Sequence, residues 1–422
     1  MARLTRITTT PSGAGGKEIF RYFSLYRCHH IRRVQMMSAT PRISIAMATY
    51  NGARYIREQL DSLAAQTLLP YELVVSDDGS TDSTLDIVRD FALDAPFPVR
   101  VYRNEKRLGY ADNFLSAASL CEGELIAFCD QDDVWMPKKL ATCADIFEDP
   151  DVLLVIHSAV VTGSDLKHTG TFYPDIEFVN KHQAKQKKKT GRMSSDQLML
   201  CKYDSLQLDP MDVYPGFSMI FRKIVVNIFD RCDRGKDYQF YRANPPMISH
   251  DRWIYLMCCS LGKVVLTEEK LSLYRQHESN TCGLSGPRSL WDQLKSYFSP
   301  TVYEGRYRNE LHWVNVMEEI SKKNYWSNKH IASNAINASK FFERCRDKDN
   351  ALIILYSLDS SWSKRLTAYL YLVKNFYLNS AESCFVRHHP VKDFLFGLFG
   401  FYSLYRKTKI ILMMSKGKHD TI

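Results

Sequence analysis

Residues 125–135 read LIAFCDQDDVW. Five apolar residues stop at Asp130, and three carboxylates, Asp130, Asp132 and Asp133, crowd into four positions around Gln131. Like charges this close disfavour one another's ionisation unless something positive is held among them. A short, wholly apolar run bounded by polar residues is the pattern of a strand covered on both faces. The acids therefore stand at the carboxyl end of a buried strand.

Working outward, the same unit recurs. RISIAMA (42–48), ELVVS (72–76), VRVYR (99–103) and DVLLVIHSAV (151–160) read as further strands. YIREQLDSLAAQ (55–66), STLDIVRDFA (83–92), ADNFLSAASL (111–120) and PKKLATCADIF (137–147) read as helices. Asp82 stands where it can cap the second helix, and Pro137 occupies a first-turn position. Strands alternating with helices of this length predict an α/β fold: a Rossmann-like, mostly parallel sheet sandwiched by helices, with right-handed crossovers. In such sheets ligands bind beyond the carboxyl ends of the strands. TYN (Thr49, Tyr50, Asn51), DDGSTD (Asp77 to Asp82) and DQDD each follow a strand, so the three motifs are expected on one rim.

A tripled carboxylate in that place suits a hard divalent cation, Mg2+ or Mn2+, bound through oxygen. Such sites use one or two carboxylates and leave the other positions to water and substrate phosphates. The alternative is a solvated acidic turn favoured by the N-terminus of the helix that begins at Pro137. Neither G-x-G-x-x-G nor G-x-x-x-x-G-K-[ST] occurs, which removes the two commonest nucleotide loops. Asp77 and Asp78, ahead of Gly79, can instead accept hydrogen bonds from a base or ribose, and Tyr50 can stack on a base. A tight turn with a helix cap is the alternative for that motif.

ISIAMATYNGARYIREQLDSLAAQT, ELVVSDDGSTDST and ELIAFCDQDDVWMPKKL, in that order, resemble the family 2 glycosyltransferases of GT-A fold. The resemblance runs from about Ile43 to Cys282. YPGFSMIFRK (214–223) is similar to the family's acceptor-side segment, and SHDRWIYLMCCSLGKVVLTEEKLSLYRQHESNTCG (249–283) to its catalytic-base helix and the strand after it. The combination of DQDD-x-W, HD and YRQH looks most like the bacterial rhamnosyltransferase-like branch. The resemblance implies roles for particular residues. Thr49, Tyr50, Asn51, Asp77, Asp78, Asp130 and Gln131 would bind the nucleotide sugar. Asp130, Asp132 and His277 would serve the metal, Mg2+ or Mn2+. Asp251 would be the catalytic base, with Ser249 as its helix cap. Gly216, Phe217 and Trp253 would face the acceptor, with core packing the alternative for the two aromatic residues. Many relatives have Glu-Asp at the base position where this chain has His250–Asp251. The implied reaction is an inverting transfer from a nucleoside-diphosphate sugar to a glycan or lipid-linked hydroxyl. Two rivals stand beside it: a nucleotidyltransferase on a similar sheet, and a non-catalytic module that holds an anionic polymer.

Composition sets the frame. With 422 residues, 45% hydrophobic and 24% charged, the chain can bury a large core. The net charge of +9 concentrates in the first forty residues, in KHQAKQKKKT (181–190) and in the C-terminal tail. Such patches suit phosphorylated substrates, an anionic membrane surface or nucleic acid, or are plain solvated surface; the family resemblance implies no nucleic acid. Eleven cysteines at irregular spacings, without C-x-x-C, argue against a disulfide framework or zinc site and for reduced thiols in the cytoplasm. No run of eighteen apolar residues exists. FLFGLFGFYSLY (394–405), followed by RKTK (406–409), can rest in a membrane interface or dock on the body, so peripheral contact at the inner face of the membrane is one expectation. The expected domains are a disordered basic arm (1–40, with a natural start at Met37), the transferase domain (41–285) and a helical accessory region (286–422).

Overall fold

The computed structural model describes residues 41–177, 179–180, 200–228, 233–238, 245–278, 280, 300–323, 329–357, 359–377 and 393–398. The basic arm, the lysine run 181–190 and the tail from 399 onward lie outside the described residues. From Arg42 on the chain forms one compact unit.

Ten strands build one mixed sheet: β1 (Ile43–Thr49), β2 (Glu72–Asp77), β3 (Val99–Arg103), β4 (Leu125–Cys129), β5 (Val134–Trp135), β6 (Val152–Thr162), β7 (His168–Tyr173), β8 (Leu200–Tyr203), β9 (Met219–Arg222) and β10 (Lys263–Arg275). Their spatial order is β3-β2-β1-β4-β9-β6-β10-β5, with β7 on β6 and β8 on β10. Helices α1 (Ile56–Ala64), α2 (Thr84–Asp94), α3 (Tyr110–Leu120) and α4 (Lys139–Ile146) follow the first strands, as the sequence predicts, to within a few residues. Beyond them come α5 (Ile224–Ile228), α6 (His250–Leu261), α7 (Pro300–Lys322), α8 (Lys329–Tyr356) and α9 (Trp362–Leu372).

The register places the polar motifs together. Strands β3, β2, β1 and β4 are parallel, with Thr49 beside Asp77, Asp77 beside Arg103 and Met47 beside Cys129. The residues that follow, Tyr50, Asp78, Asn104 and Asp130, therefore leave the sheet on one rim. Strand β9 runs antiparallel to β4, with Ile220 opposite Ala127, so the turn Gly216–Ser218 before it reaches the same rim. Strand β10 runs parallel to β6 and ends with Arg275 beside Thr162.

Side-chain alternation splits the core into two layers. Ile43, Ile45, Met47, Leu125 and Ala127 face Ile56, Leu60, Val88 and Leu140. Ala46, Ile126 and Phe128 face Phe114, Leu115 and the apolar side of α6. The C-terminal helices share a cluster of their own, with Tyr303, Leu352, Leu355, Tyr356 and Leu372, and also reach the sheet. Trp313, Met317 and Ile320 of α7 and Ala335 and Phe342 of α8 join that second layer. Cys121, Cys129, Cys143, Cys201, Cys258, Cys259 and Cys345 are buried.

Candidate active site

The loop after β1 is held by the two motifs beside it. The Tyr50 amide donates to Gln131 Oε1 at 3.0 Å, and Gln131 Nε2 donates back to the Tyr50 carbonyl at 3.1 Å. A Cβ on Gly52 would stand 2.2 Å from Gln131 Oε1, so this approach requires glycine. Asn51 Oδ1 accepts from the Thr81 amide at 2.8 Å, and its own amide donates to Ser80 Oγ at 2.9 Å. Asp77 is fully buried. It accepts from Thr49 Oγ1 at 2.9 Å, from the amides of Gly79 and Ser80 at 3.1 and 2.9 Å, and from Ser80 Oγ. Thr49, Asp77 and Gln131 therefore bind the loops of the rim together.

Asp78 is also committed to a loop. Its carboxylate accepts from the amides of Leu108 and Gly109 at 2.6 and 2.9 Å and from Asn104 Nδ2 at 3.2 Å. That loop carries Arg107, whose guanidinium covers the exposed ring of Tyr50 at 3.9 Å. One face of Tyr50 is thus already stacked, by a residue the motif reading missed.

The acidic motif is anchored from behind. Asp133 is fully buried; its Oδ1 accepts from the Arg275 amide at 3.0 Å, and its Oδ2 has no hydrogen-bond partner. Burial, then Asp132 and Asp130, push the Asp133 carboxyl well above the usual range. Asp132 points outward, with Oδ2 2.8 Å from His277 Nε2. Burial, then the carboxylates of Asp132 and Asp251, push Asp130 up to about 8. Asp251 comes from α6 and borders Gly216, whose turn reaches the same rim as the acids.

Asp251 sits in the first turn of α6. Its Oδ1 accepts from the Arg252 amide at 2.8 Å and from Ser249 Oγ. Ser249 was expected to cap the helix with its hydroxyl; it holds the aspartate instead. His250 is buried, stacked on Phe114 at 4.2 Å and edge-on to Phe128 at 4.9 Å, with no partner for Nδ1. Burial drops its pKa to about 4, so it is a neutral packing residue. Gly216 borders both: a Cβ there would lie 2.6 Å from His250 Nε2 and 3.7 Å from the Asp251 Cβ. Phe217 and Trp253 are each 2% exposed. Phe217 stacks on Tyr274 at 4.5 Å and Trp253 on Trp313 at 5.5 Å. Both are packing residues, and neither presents a face to an acceptor.

Among the described residues, no group of three or more His, Cys, Asp or Glu side chains is already disposed around an ion. The chemistry still fits a divalent cation that shares its sphere with phosphate and water. Asp130 and Asp132 supply hard oxygen donors that repel one another without a countercharge. His277 Nε2 is the hydrogen-bonding partner of Asp132.

The sequence reading missed Lys139. It is fully buried, donates to the Phe217 carbonyl at 2.8 Å and to Ser272 Oγ at 3.1 Å, and lies 3.6 Å from the centre of the Trp135 ring. Burial lowers it to about 8, against the pull of Asp133 and Asp130. It joins the acidic motif to the turn Gly216–Ser218. A helical phase that separates it from exposed Lys138 was its only signal.

Residues 44–229 match the model of Glycosyl transferase family 2. An uncharacterised glycosyltransferase of Nostoc sp. is 36% identical over 126 residues, which is 29% of this chain and 38% of that relative. The dTDP-rhamnosyl transferase RfbG of Shigella flexneri is 26% identical over 320 residues, 74% of this chain and 98% of the relative. Among solved structures, S. aureus TarS 1-349 in complex with UDP-GlcNAc aligns at 18% identity and a TM-score of 0.44, covering 80% of this chain and 93% of that one.

Proposed function

We propose that this chain is an inverting, metal-dependent glycosyltransferase that moves a sugar from a nucleoside diphosphate to a hydroxyl of a glycan or lipid-linked acceptor in surface polysaccharide synthesis. One observation carries the reading: Asp251 borders Gly216, whose turn leads into β9 at the rim where β4 delivers Asp130 and Asp132, although the chain supplies these residues from different elements. Similarity to a dTDP-rhamnosyl transferase along nearly that relative's full length supports rhamnose as the sugar and a dTDP donor.

Asp130 and Asp132 would hold Mg2+ or Mn2+, with His277 fixing Asp132; the bound ion supplies countercharge to the departing diphosphate. Tyr50, Asn51 and Asp78 line the side where the nucleotide would lie. Asp251 takes the proton from the acceptor hydroxyl as that oxygen attacks the anomeric carbon. The bond from that carbon to the diphosphate oxygen breaks, and the nucleoside diphosphate leaves with the electron pair. Both hydrogen bonds described above fall on Asp251 Oδ1, so Oδ2 is the oxygen that receives the proton. A loop rich in Gly and Arg after β1, which a nucleotidyltransferase would want, has no counterpart in TYNGARY (49–55).

The test is hydrolysis of a panel of nucleotide sugars with Mn2+, with and without chelator. Turnover of one donor that chelation abolishes supports the reading, and chelator-insensitive turnover or none at all opposes it. Buried free thiols at Cys121, Cys129, Cys143, Cys258 and Cys259 support a cytoplasmic site of action. No helix among the described residues is long and apolar enough to cross a membrane. Contact through the basic tail is proposed as peripheral, and failure to sediment with anionic liposomes at low salt would count against it.

A further inference from the structure

Arg275 ends β10, and only 2% of its side chain is exposed, so it cannot reach a substrate. Every nitrogen of its guanidinium is nevertheless engaged. Nε donates to the Asp132 carbonyl at 2.7 Å, Nη1 to the Ser164 carbonyl at 2.9 Å, and Nη2 to Glu58 on α1. Its main-chain amide donates to Asp133. The ring of Tyr55 lies between the guanidinium, at 4.5 Å, and the imidazole of His277, at 4.6 Å. One side chain therefore ties the acidic loop, the helix after the first rim loop and the turn after β6 to the strand end that delivers His277. Burying a guanidinium is costly unless its donors are satisfied, and here two of the three side-chain acceptors are backbone carbonyls. A planar fork can serve three directions at once; a lysine ammonium on a flexible stem cannot.

We propose that Arg275 is the positioning residue of the metal-binding rim, fixing Asp132 and His277 against each other so that the Asp132 carboxylate is set for the cation. This rests on the reading of Asp132 as a metal ligand. Loss of a group that orients a metal ligand costs about 10-fold to 100-fold in metal affinity.

Arg222 provides the matched control. It ties β9 to the segment between α4 and β6, donating to the carbonyls of Val152, Phe147 and Asp149 at 2.8, 2.8 and 3.1 Å, but at the opposite rim, beside the start of β4. The experiment measures Mn2+ dissociation constants, and amide hydrogen exchange of residues 130–135 and 272–278, for the full chain and for Arg275→Met, Arg275→Lys and Arg222→Met. The expected result is Mn2+ affinity weaker by about 10-fold to 100-fold and faster exchange in both segments for the Arg275 variants, with both readouts unchanged in Arg222→Met. Wild-type affinity and exchange in either folded Arg275 variant, or the same losses in Arg222→Met, would overturn the proposal. If the unaltered chain binds no Mn2+, the metal reading itself fails, and the exchange comparison alone decides whether Arg275 positions the rim.

Discussion

His277 Nε2 lies 2.8 Å from Asp132 Oδ2, across 145 positions of sequence. The pair closes the rim: one member ends the acidic loop after β4, the other follows β10. Nothing local to either segment dictates the contact. It exists because β10 pairs with β6 and with β5, which brings the two chain ends to one place.

Asp132→Asn removes charge while keeping shape. Binding of a nucleoside diphosphate in Mn2+ should fall to the level the unaltered protein shows in chelator, and calorimetric titration checks this. Undiminished metal-dependent binding would show that Asp132 does not hold the ion.

Gly216→Ala puts a methyl group 2.6 Å from His250 Nε2 and close to Asp251. His250 is walled by Phe114 and Phe128, so the displacement passes to the backbone that carries Asp251. Misplacement of a catalytic group by about 1 Å costs roughly 100-fold. The transfer rate should drop by about that factor, with donor affinity preserved; steady-state kinetics separate the two.

His250 gives a pH signature. Its folded pKa is about 4, below the 6.5 of an exposed imidazole. Between these values the unfolded chain binds the extra proton, so stability is full above 6.5 and falls as pH drops toward 4. The whole contribution is roughly 3 kcal/mol. Denaturant midpoints of His250→Leu should therefore fall less than those of the unaltered protein between pH 6.5 and 4. Parallel curves would mean that His250 titrates normally in the fold.

Trp253 and Trp313 test the helical region as part of the core. Trp313 is fully buried, and Trp313→Ala should cost about 3–5 kcal/mol. Unfolding should remain a single transition at a lower midpoint. Two separated transitions would show α7 and α8 to be an independent body.

Strand β4 was legible because cover on both faces makes LIAFC an unbroken apolar run, and β1 and β2 because they come close to that pattern. The rim acids were legible because they follow those runs directly. The partners of Thr49 and Gln131 were not, since each side chain finds them in a neighbouring motif. Trp253 looked like a sugar platform until Trp313, sixty positions on, was seen to cover it. Only helical phase marks Lys139 in PKKL, and nothing in YRQH marks Arg275 as buried. Their burial depends on residues from other elements, Phe217 and Ser272 for one and Asp132, Ser164 and Glu58 for the other.

The most direct measurement compares Asp251→Asn with the unaltered protein for donor binding in Mn2+ and for sugar transfer to acceptor, on the same preparation. Removing a general base costs about 10²-fold to 10⁴-fold. The expected result is transfer reduced within that range and an unchanged donor dissociation constant. Transfer within a few-fold of the unaltered rate would contradict the assignment of Asp251 as the base.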